Sequence, residues 1–282
     1  MSIVKYSNRF REKKLKKMSK HSRYNPEKKQ FLINEKTPFA ITEAFRNLKA
    51  ALSVSIPEDH DGGVSIMISS SFPQDGKTTV TANLSLMFAQ SEAKVVVVDA
   101  DIRKGRLAKY FKMDTKPGLS DYLSGLATYE EVIKQSPLNG NLYVVSCGTS
   151  SPKPYELLES QRMKDFVKKL KEQFDYVLFD TPPILLVSDA LALAPCADGT
   201  VLVCRHYASH VSDIVKSVNI FEFAKVNLLG VVVNDYQIPK VGKYKRYKKY
   251  SDSDYPYGYG ESRDFEAAAK DAAKKDSSNE NN

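Results

Sequence analysis

The sequence predicts an α/β fold, a doubly wound and mostly parallel sheet, on three observations. Apolar runs of strand length alternate with helical patterns from residue 64 to residue 234, the order that repeated strand-helix-strand units produce. The run KVVVV at residues 94–98 is continuously β-branched, as a strand buried on both faces requires. Two of the runs end in an aspartate, Asp99 and Asp180, and the carboxyl ends of parallel strands are where open α/β sheets bind ligands.

Residues 37–55 carry Phe39, Ile41, Phe45, Leu48 and Leu52 on one helical stripe, with Glu43, Arg46 and Lys49 at steps of three beside it. The pattern fits either a peripheral helix with i,i+3 ion pairs or a subunit contact. After a linker at 56–63, the stretch VSIMISSSFPQDGKTTVTA (64–82) reads as strand, loop and helix. Val64, Ile66, Met67 and Ile68 build the strand, and Leu84, Leu86, Met87 and Phe88 suit a helix packed on a sheet. Such a loop aims backbone N–H groups and the positive end of a helix dipole at one point, which makes a phosphate site. Lys77 is placed to reach the β- and γ-phosphates and the Thr78 hydroxyl to ligate Mg²⁺. Ser71 stands where the first glycine of G-x-x-x-x-G-K-[ST] belongs, and Pro73 stiffens the turn.

The strand at 94–98 leads into Asp99-Ala100-Asp101-Ile102-Arg103-Lys104; two aspartates two apart on an extended chain face one side, toward phosphates and Mg²⁺. Residues 116–133 read as turns and small residues, followed by a strand at 142–146 and a single helix over 155–174. The strand at 175–179 ends on Asp180, in the manner of a Walker B carboxylate. A helix near 188–194, a strand at 200–204, a helix near 208–224 and a strand at 228–234 complete the alternation. Asn234, closing the last strand, is a candidate for bonding a nucleotide base. The candidate nucleotide contacts are therefore Asp75, Gly76, Lys77, Thr78, Thr79, Arg103 and Asn234, with Thr78, Asp99, Asp101 and Asp180 as the metal set.

The flanks differ in composition. Residues 1–36 hold twelve Lys/Arg against three Glu, a net of +9 in a chain whose total is +8. A basic arm of this kind suits an anionic surface, inner-leaflet lipid or nucleic acid, or stays solvated. From residue 237 apolar periodicity stops, and Tyr244, Tyr247, Tyr250, Tyr255, Tyr257 and Tyr259 follow within sixteen residues, too dense and too polar to build a core. They fit phosphoacceptors or a stacking surface for single-stranded nucleic acid. The organisation is thus an arm (1–36), one domain (37–236), a tyrosine cluster (237–260) and a polar end (261–282). No run of eighteen apolar residues and no apolar leader occurs, which predicts a chain that is cytoplasmic or tethered by a partner. Cys147, Cys196 and Cys204 read as buried reduced thiols, and His21, His60, His206 and His210 form no ligand pattern.

Taken together, FPQDGKTT, VVVVDADIRK, YVLFDTPP, the helix EAFRNLK, GLSDYLSG and the terminal tyrosines resemble the bacterial tyrosine kinases, in the separate cytoplasmic form found in Firmicutes. The resemblance covers residues 37–260. It implies a P-loop NTPase of the deviant-Walker type that uses ATP and Mg²⁺ and phosphorylates its own tyrosine cluster in a neighbouring subunit. Lys77, Asp99 and Asp101 would be catalytic, with the base not separated between the two aspartates. Glu43, Arg46 and Lys49 match an E-x-x-R-x-x-R helix, implying a ring-shaped homo-oligomer. A membrane adaptor of the polysaccharide co-polymerase type would recruit the chain to the inner face of the membrane for capsule or exopolysaccharide synthesis, and a protein-tyrosine phosphatase would oppose it. An anionic membrane then suits the basic arm, and nucleic acid is not the expected partner. Lys49 replaces the motif's last arginine and its planar fork; Lys153 and Gly105 stand where asparagine and proline are expected. The rival readings are a partitioning or positioning ATPase, whose signature lysine is replaced here by Phe72, and a non-enzymatic module binding nucleic acid or membrane through its basic tails.

Overall fold

The computed structural model describes residues 32–56 and 62–236. The expectations for the basic arm up to residue 31, for most of the 56–63 linker, and for the tyrosine cluster and polar end from residue 237 lie outside the described residues.

A helix α1 (Phe39–Ser55) precedes β1 (Val64–Ser70) and α2 (Lys77–Ala89), after which come β2 (Val95–Asp99) and three short helices, α3 (Leu107–Tyr110), α4 (Leu119–Leu123) and α5 (Tyr129–Val132). Strands β3 (Lys134–Gln135) and β4 (Leu142–Val145) lead to α6 (Pro154–Glu159), α7 (Gln161–Gln173) and β5 (Tyr176–Asp180). Helix α8 (Asp189–Leu193), a 3₁₀ turn (Ala194–Cys196), β6 (Gly199–Arg205), α9 (Val211–Phe223) and β7 (Leu228–Asn234) follow. The seven strands form one sheet in the order β3-β4-β2-β5-β1-β6-β7. Among the described residues only the β3–β4 pair is antiparallel; the other pairings are parallel.

Side-chain alternation along the buried strands divides the core into two layers. Ile66, Ile68, Val95, Val97, Leu178, Val201 and Val203 face α1, α2 and α3 through Leu52, Leu84, Phe88, Leu107 and Phe111. Met67, Val96, Val98, Val177, Phe179 and Leu202 face the other way, toward Phe166 and Leu170 of α7 and Phe221 of α9. A sheet covered on both faces explains why its strands read as near-continuous apolar runs.

Two expectations of secondary structure need correction. The region 116–133 is not merely turns: α4 and α5 bury Leu119, Leu123, Tyr129 and Val132 in the second layer. Their brevity hid the helical period, which needs more than one turn to declare itself. The single helix expected over 155–174 is two, because Ser160 adopts an extended conformation (ψ 153°) and its hydroxyl accepts the Met163 N–H at 3.2 Å, capping α7. The stripe of α1 is only partly covered. Leu52 is buried and Phe45 and Leu48 pack on the core, but Phe39 and Ile41 are 59% and 38% exposed. None of the three cysteines is paired, and Cys196 is half-buried rather than buried. No helix among the described residues is long and apolar enough to cross a membrane.

Phe88 lies fully buried on α2, its ring stacked on Tyr176 of β5 at a centroid distance of 4.0 Å. Truncation there leaves a cavity between the phosphate-loop helix and the sheet. Phe88→Ala is expected to cost about 3–5 kcal/mol in chemical denaturation; a loss below about 1 kcal/mol would mean that this layer repacks freely.

Candidate active site

Register brings two strand-end carboxylates together before any side chain is considered. Asp99 and Asp180, the last residues of β2 and β5, are direct partners across that strand pair, and Ile68 of β1 pairs with Asp180 on its other side. The loop leaving β1 therefore opens over both carboxylates.

That loop is held from outside by β6 and α9. Ser71 is fully buried and its hydroxyl meets that of Ser217 at 2.8 Å. Here lies the physical reason a serine serves at the first glycine's place: it ties the loop's start to α9. Asp75 accepts the Phe72 N–H at 3.0 Å with one oxygen and the Ser209 hydroxyl at 2.8 Å with the other. Arg205 donates to the Gln74 carbonyl at 3.3 Å, and Asn234 donates through its Nδ2 to the Asp75 carbonyl at 3.0 Å. Gly76 has φ +99°, in the left-handed region, and a Cβ there would collide with the Asn234 amide. Glycine is thus required on two counts. Beyond it, the N–H groups of Lys77, Thr78 and Thr79 open α2 and have no intrahelical acceptor. They form a phosphate cradle at a helix N-terminus.

Lys77 reaches back over the carboxylates, with Nζ 3.2 Å from Asp101 Oδ2 and 3.4 Å from Asp180 Oδ1. Burial works against its charge, but Asp180, Asp101 and Asp99 hold its pKa above the ordinary lysine value. The Thr78 hydroxyl donates to Asp180 Oδ2 at 2.7 Å. Asp99 is fully buried; its Oδ2 accepts the Leu107 N–H at 2.9 Å and its Oδ1 the Asp101 N–H at 3.3 Å. Burial, with Asp180 alongside, pushes the Asp99 carboxyl up to about 8 against the pull of the Leu107 N–H. Burial likewise raises Asp180, against the opposing effects of Lys77 and Thr78.

A hydroxyl and carboxylates beside a phosphate cradle are hard oxygen donors, which suits Mg²⁺ shared with phosphate oxygens and water. Among the described residues no group of three or more His, Cys, Asp or Glu side chains converges tightly enough to hold a metal unaided. The donor set fits a cation that arrives with its nucleotide.

Other candidates are placed differently. Thr79 Oγ1 lies 2.7 Å from the Tyr110 hydroxyl. Arg103 is forked onto the buried Asp189, Nε to Oδ2 at 2.6 Å and Nη2 to Oδ1 at 3.0 Å, so its guanidinium braces α8 rather than joining the phosphate loop. Glu43 pairs with Arg46 along α1, while Lys49 turns onto the chain's own α2, bonding the Ser91 hydroxyl and lying 5.8 Å from the Phe88 ring centroid. Gly105, where proline was expected, packs so close that a Cβ would press on Asp99 Oδ2 and Cys147. Sequence reasoning missed Asp189, Ser209, Ser217 and Tyr110. Each bonds over at least 30 residues of chain, and no local pattern marks such a partner.

The Asp99 carboxyl gives a signed pH dependence. Its folded-state pKa, about 8, lies above the ordinary 3.8, so between those values the folded chain holds the proton that the unfolded chain has released. Stability contributed by this group is present at low pH and lost as pH rises through that window. In the nucleotide-free chain, urea unfolding at about pH 5 and about pH 8 should show wild type losing more stability with rising pH than Asp99→Asn. Parallel profiles would contradict the assignment.

The AAA domain family model matches residues 66–228. The tyrosine-protein kinase YwqD of Bacillus subtilis is 36% identical over 183 residues, 65% of this chain and 77% of its own length. A putative tyrosine-protein kinase in the cps region of Klebsiella pneumoniae is 34% identical over 81% of this chain. The chain spans only 27–32% of the length of this and similar curated relatives. Among solved structures, the kinase domain of the Escherichia coli tyrosine kinase ETK superposes with a TM-score of 0.65 at 31% identity, covering 71% of this chain and 79% of that one. The septum site-determining protein MinD of Pyrococcus horikoshii, complexed with Mg-ADP, gives a TM-score of 0.55 at 27% identity, covering 63% and 72%. The sheet topology, the phosphate loop and these likenesses agree: the chain belongs to the bacterial tyrosine kinase family, within the P-loop NTPases.

Proposed function

We propose that this chain is an ATP-dependent protein-tyrosine kinase that phosphorylates the tyrosines of its own C-terminal cluster, Tyr244 to Tyr259, in a second copy. The observation that carries the reading is Lys77 suspended between Asp101 and Asp180 at the mouth of the phosphate loop, with Thr78 bonded to the same Asp180. Lys77 and the N–H groups opening α2 would hold the phosphates of ATP, leaving Asp101 and Asp180 without their cation. Thr78 and Asp180, with Asp99 and Asp101 nearby, would hold Mg²⁺, which supplies charge neutralisation on the transferring phosphoryl group.

A tyrosine hydroxyl, with a pKa of about 10, is a poor nucleophile at neutral pH and needs a base. Geometry favours Asp101 for that task. Asp99 is fully buried with both oxygens accepting backbone N–H groups, whereas Asp101 is 7% exposed, its Oδ1 accepting the Lys104 N–H and its Oδ2 resting on Lys77, a partner that phosphate would draw away. Asp99 then fixes the loop that carries Asp101. The absence of a second lysine at Phe72, together with the tyrosine cluster, favours this reading over a partitioning ATPase.

The cps and eps names among the relatives support a role in capsule or exopolysaccharide synthesis. In that setting a co-polymerase-type adaptor would recruit the chain to the inner membrane face, where residues 1–36 meet anionic lipid. The exposed Glu43–Arg46 pair and the uncovered Phe39 and Ile41 of α1 are the surface we assign to the ring-shaped oligomer, and a phosphatase would reverse the modification.

Incubating the purified full chain with Mg-ATP and mapping phosphate by mass spectrometry tests the proposal. Wild type is expected to carry phosphotyrosine within residues 244–259, and Lys77→Met to carry none. Phosphotyrosine persisting in Lys77→Met would refute the role of the lysine, and ATP hydrolysis without any phosphotyrosine, even with adaptor tail peptide added, would favour the partitioning-type reading.

A further inference from the structure

The tyrosine cluster is two segments of opposite charge. Residues 240–250 contain six Lys/Arg and no acidic residue, around Tyr244, Tyr247 and Tyr250; residues 251–260 contain Asp252 and Asp254 and no basic residue, around Tyr255, Tyr257 and Tyr259. An acceptor site does not meet these two halves equally unless its rim is neutral.

The rim is not neutral. Lys104, Arg106, Lys109, Lys112 and Lys116 are all exposed, with Asp114 the one acidic residue among residues 104–116. None of the five makes an ion pair among the described residues, in contrast to Arg103, which is forked onto Asp189. The segment also borders the reacting groups. The Lys104 N–H donates to Asp101 Oδ1 at 3.0 Å, the Leu107 N–H to Asp99, and Tyr110 reaches Thr79. Farther on it crosses the carboxyl end of β4, where the Asp114 carbonyl accepts the Ser146 hydroxyl at 2.7 Å and the Thr115 carbonyl the Gly148 N–H at 3.1 Å. Five cations in no ion pair among the described residues thus lie on the segment that runs from the Asp101 turn to the carboxyl end of β4.

We propose that this rim is a docking surface for residues 251–260 of a second copy of the chain, so that Tyr255, Tyr257 and Tyr259 are phosphorylated before Tyr244, Tyr247 and Tyr250. The inference rests on the kinase reading above. Asp252 and Asp254 precede Tyr255 directly, and a segment so charged is attracted to the rim while the segment at 240–250 is repelled. Tyr255 lies nineteen residues beyond Tyr236, a span of up to roughly 60 Å when extended, enough to reach a neighbouring molecule. Each phosphate added brings about −1.5 to −2 charges, so the modified acidic half binds the rim more tightly and holds the remaining tyrosines near the site.

The test uses isotopically heavy full-length Lys77→Met as acceptor, mixed with Mg-ATP and either wild type or the neutralised rim variant R106Q/K109Q/K112Q as enzyme. Phosphate on each heavy tyrosine is followed by mass spectrometry. With wild type, initial labelling at Tyr255 to Tyr259 should exceed that at Tyr244 to Tyr250 by about tenfold, since exposed pairs contribute little singly and act here as a group. With the variant the two halves should be labelled alike. Equal labelling by wild type, a preference kept by the variant, or label confined to the light enzyme would each overturn the proposal. Complete absence of phosphotyrosine, on wild type as well, would instead sink the kinase reading. The rim is then judged by fluorescence anisotropy of a labelled synthetic peptide of residues 251–260 carrying phosphotyrosine. It should bind wild type about tenfold more tightly than the variant; equal binding overturns the rim as a docking surface.

Discussion

One ammonium group holds this site together. Lys77 sits between Asp101 and Asp180, with Asp99 immediately behind, in a place almost closed to water. Three carboxylates so close repel one another and lose hydration, and burial drives Asp99 and Asp180 toward their neutral forms. The lysine offsets that repulsion, and breaking a buried pair of this kind is far more costly than its absence from the start. Phosphate is a competing partner for the same cation. On the proposed reading, nucleotide binding would exchange one set of anions around Lys77 for another, and Mg²⁺ would suit the carboxylates left behind.

The loop that presents Lys77 is rigid for reasons lying in another part of the chain. Ser217 and Asp213 of α9 contact Ser71, Ser209 holds Asp75, and Arg205 holds Gln74. Asn234 closes the arrangement from the end of β7 by bonding the Asp75 carbonyl, beside Gly76, where a Cβ would collide with its amide. The sheet order explains the convergence, since β6 and β7 lie on one side of β1 while β5 and β2 lie on the other. Loop-shaping groups arrive from one flank and the strand-end carboxylates from the other.

Much of this was legible in the sequence, and the exceptions have physical causes. The β-branched run at 95–98, the glycine-lysine-threonine turn and the aspartates ending β2 and β5 are local patterns, and each stands where the pattern placed it. The short helices α4 and α5 span too few residues for a period, and the break at Ser160 depends on a cap competing with helix propensity. Arg103, a candidate nucleotide contact in the sequence, is forked onto Asp189, 86 residues away, a partner that no local signal marks. Ser71 looked like a defect in the phosphate motif and is instead the residue that fastens the loop to α9.

Whether one lysine serves two partners in turn is tested directly by thermal unfolding of wild type and Lys77→Met at about pH 8, each with and without Mg-ADP. The nucleotide-free variant is expected to unfold at lower temperature than wild type, since its carboxylates have lost their cation, and Mg-ADP should raise the midpoint of wild type alone. If the two nucleotide-free proteins unfold together and Mg-ADP stabilises both alike, Lys77 neither holds the carboxylates nor binds the phosphates, and the site must be assigned anew.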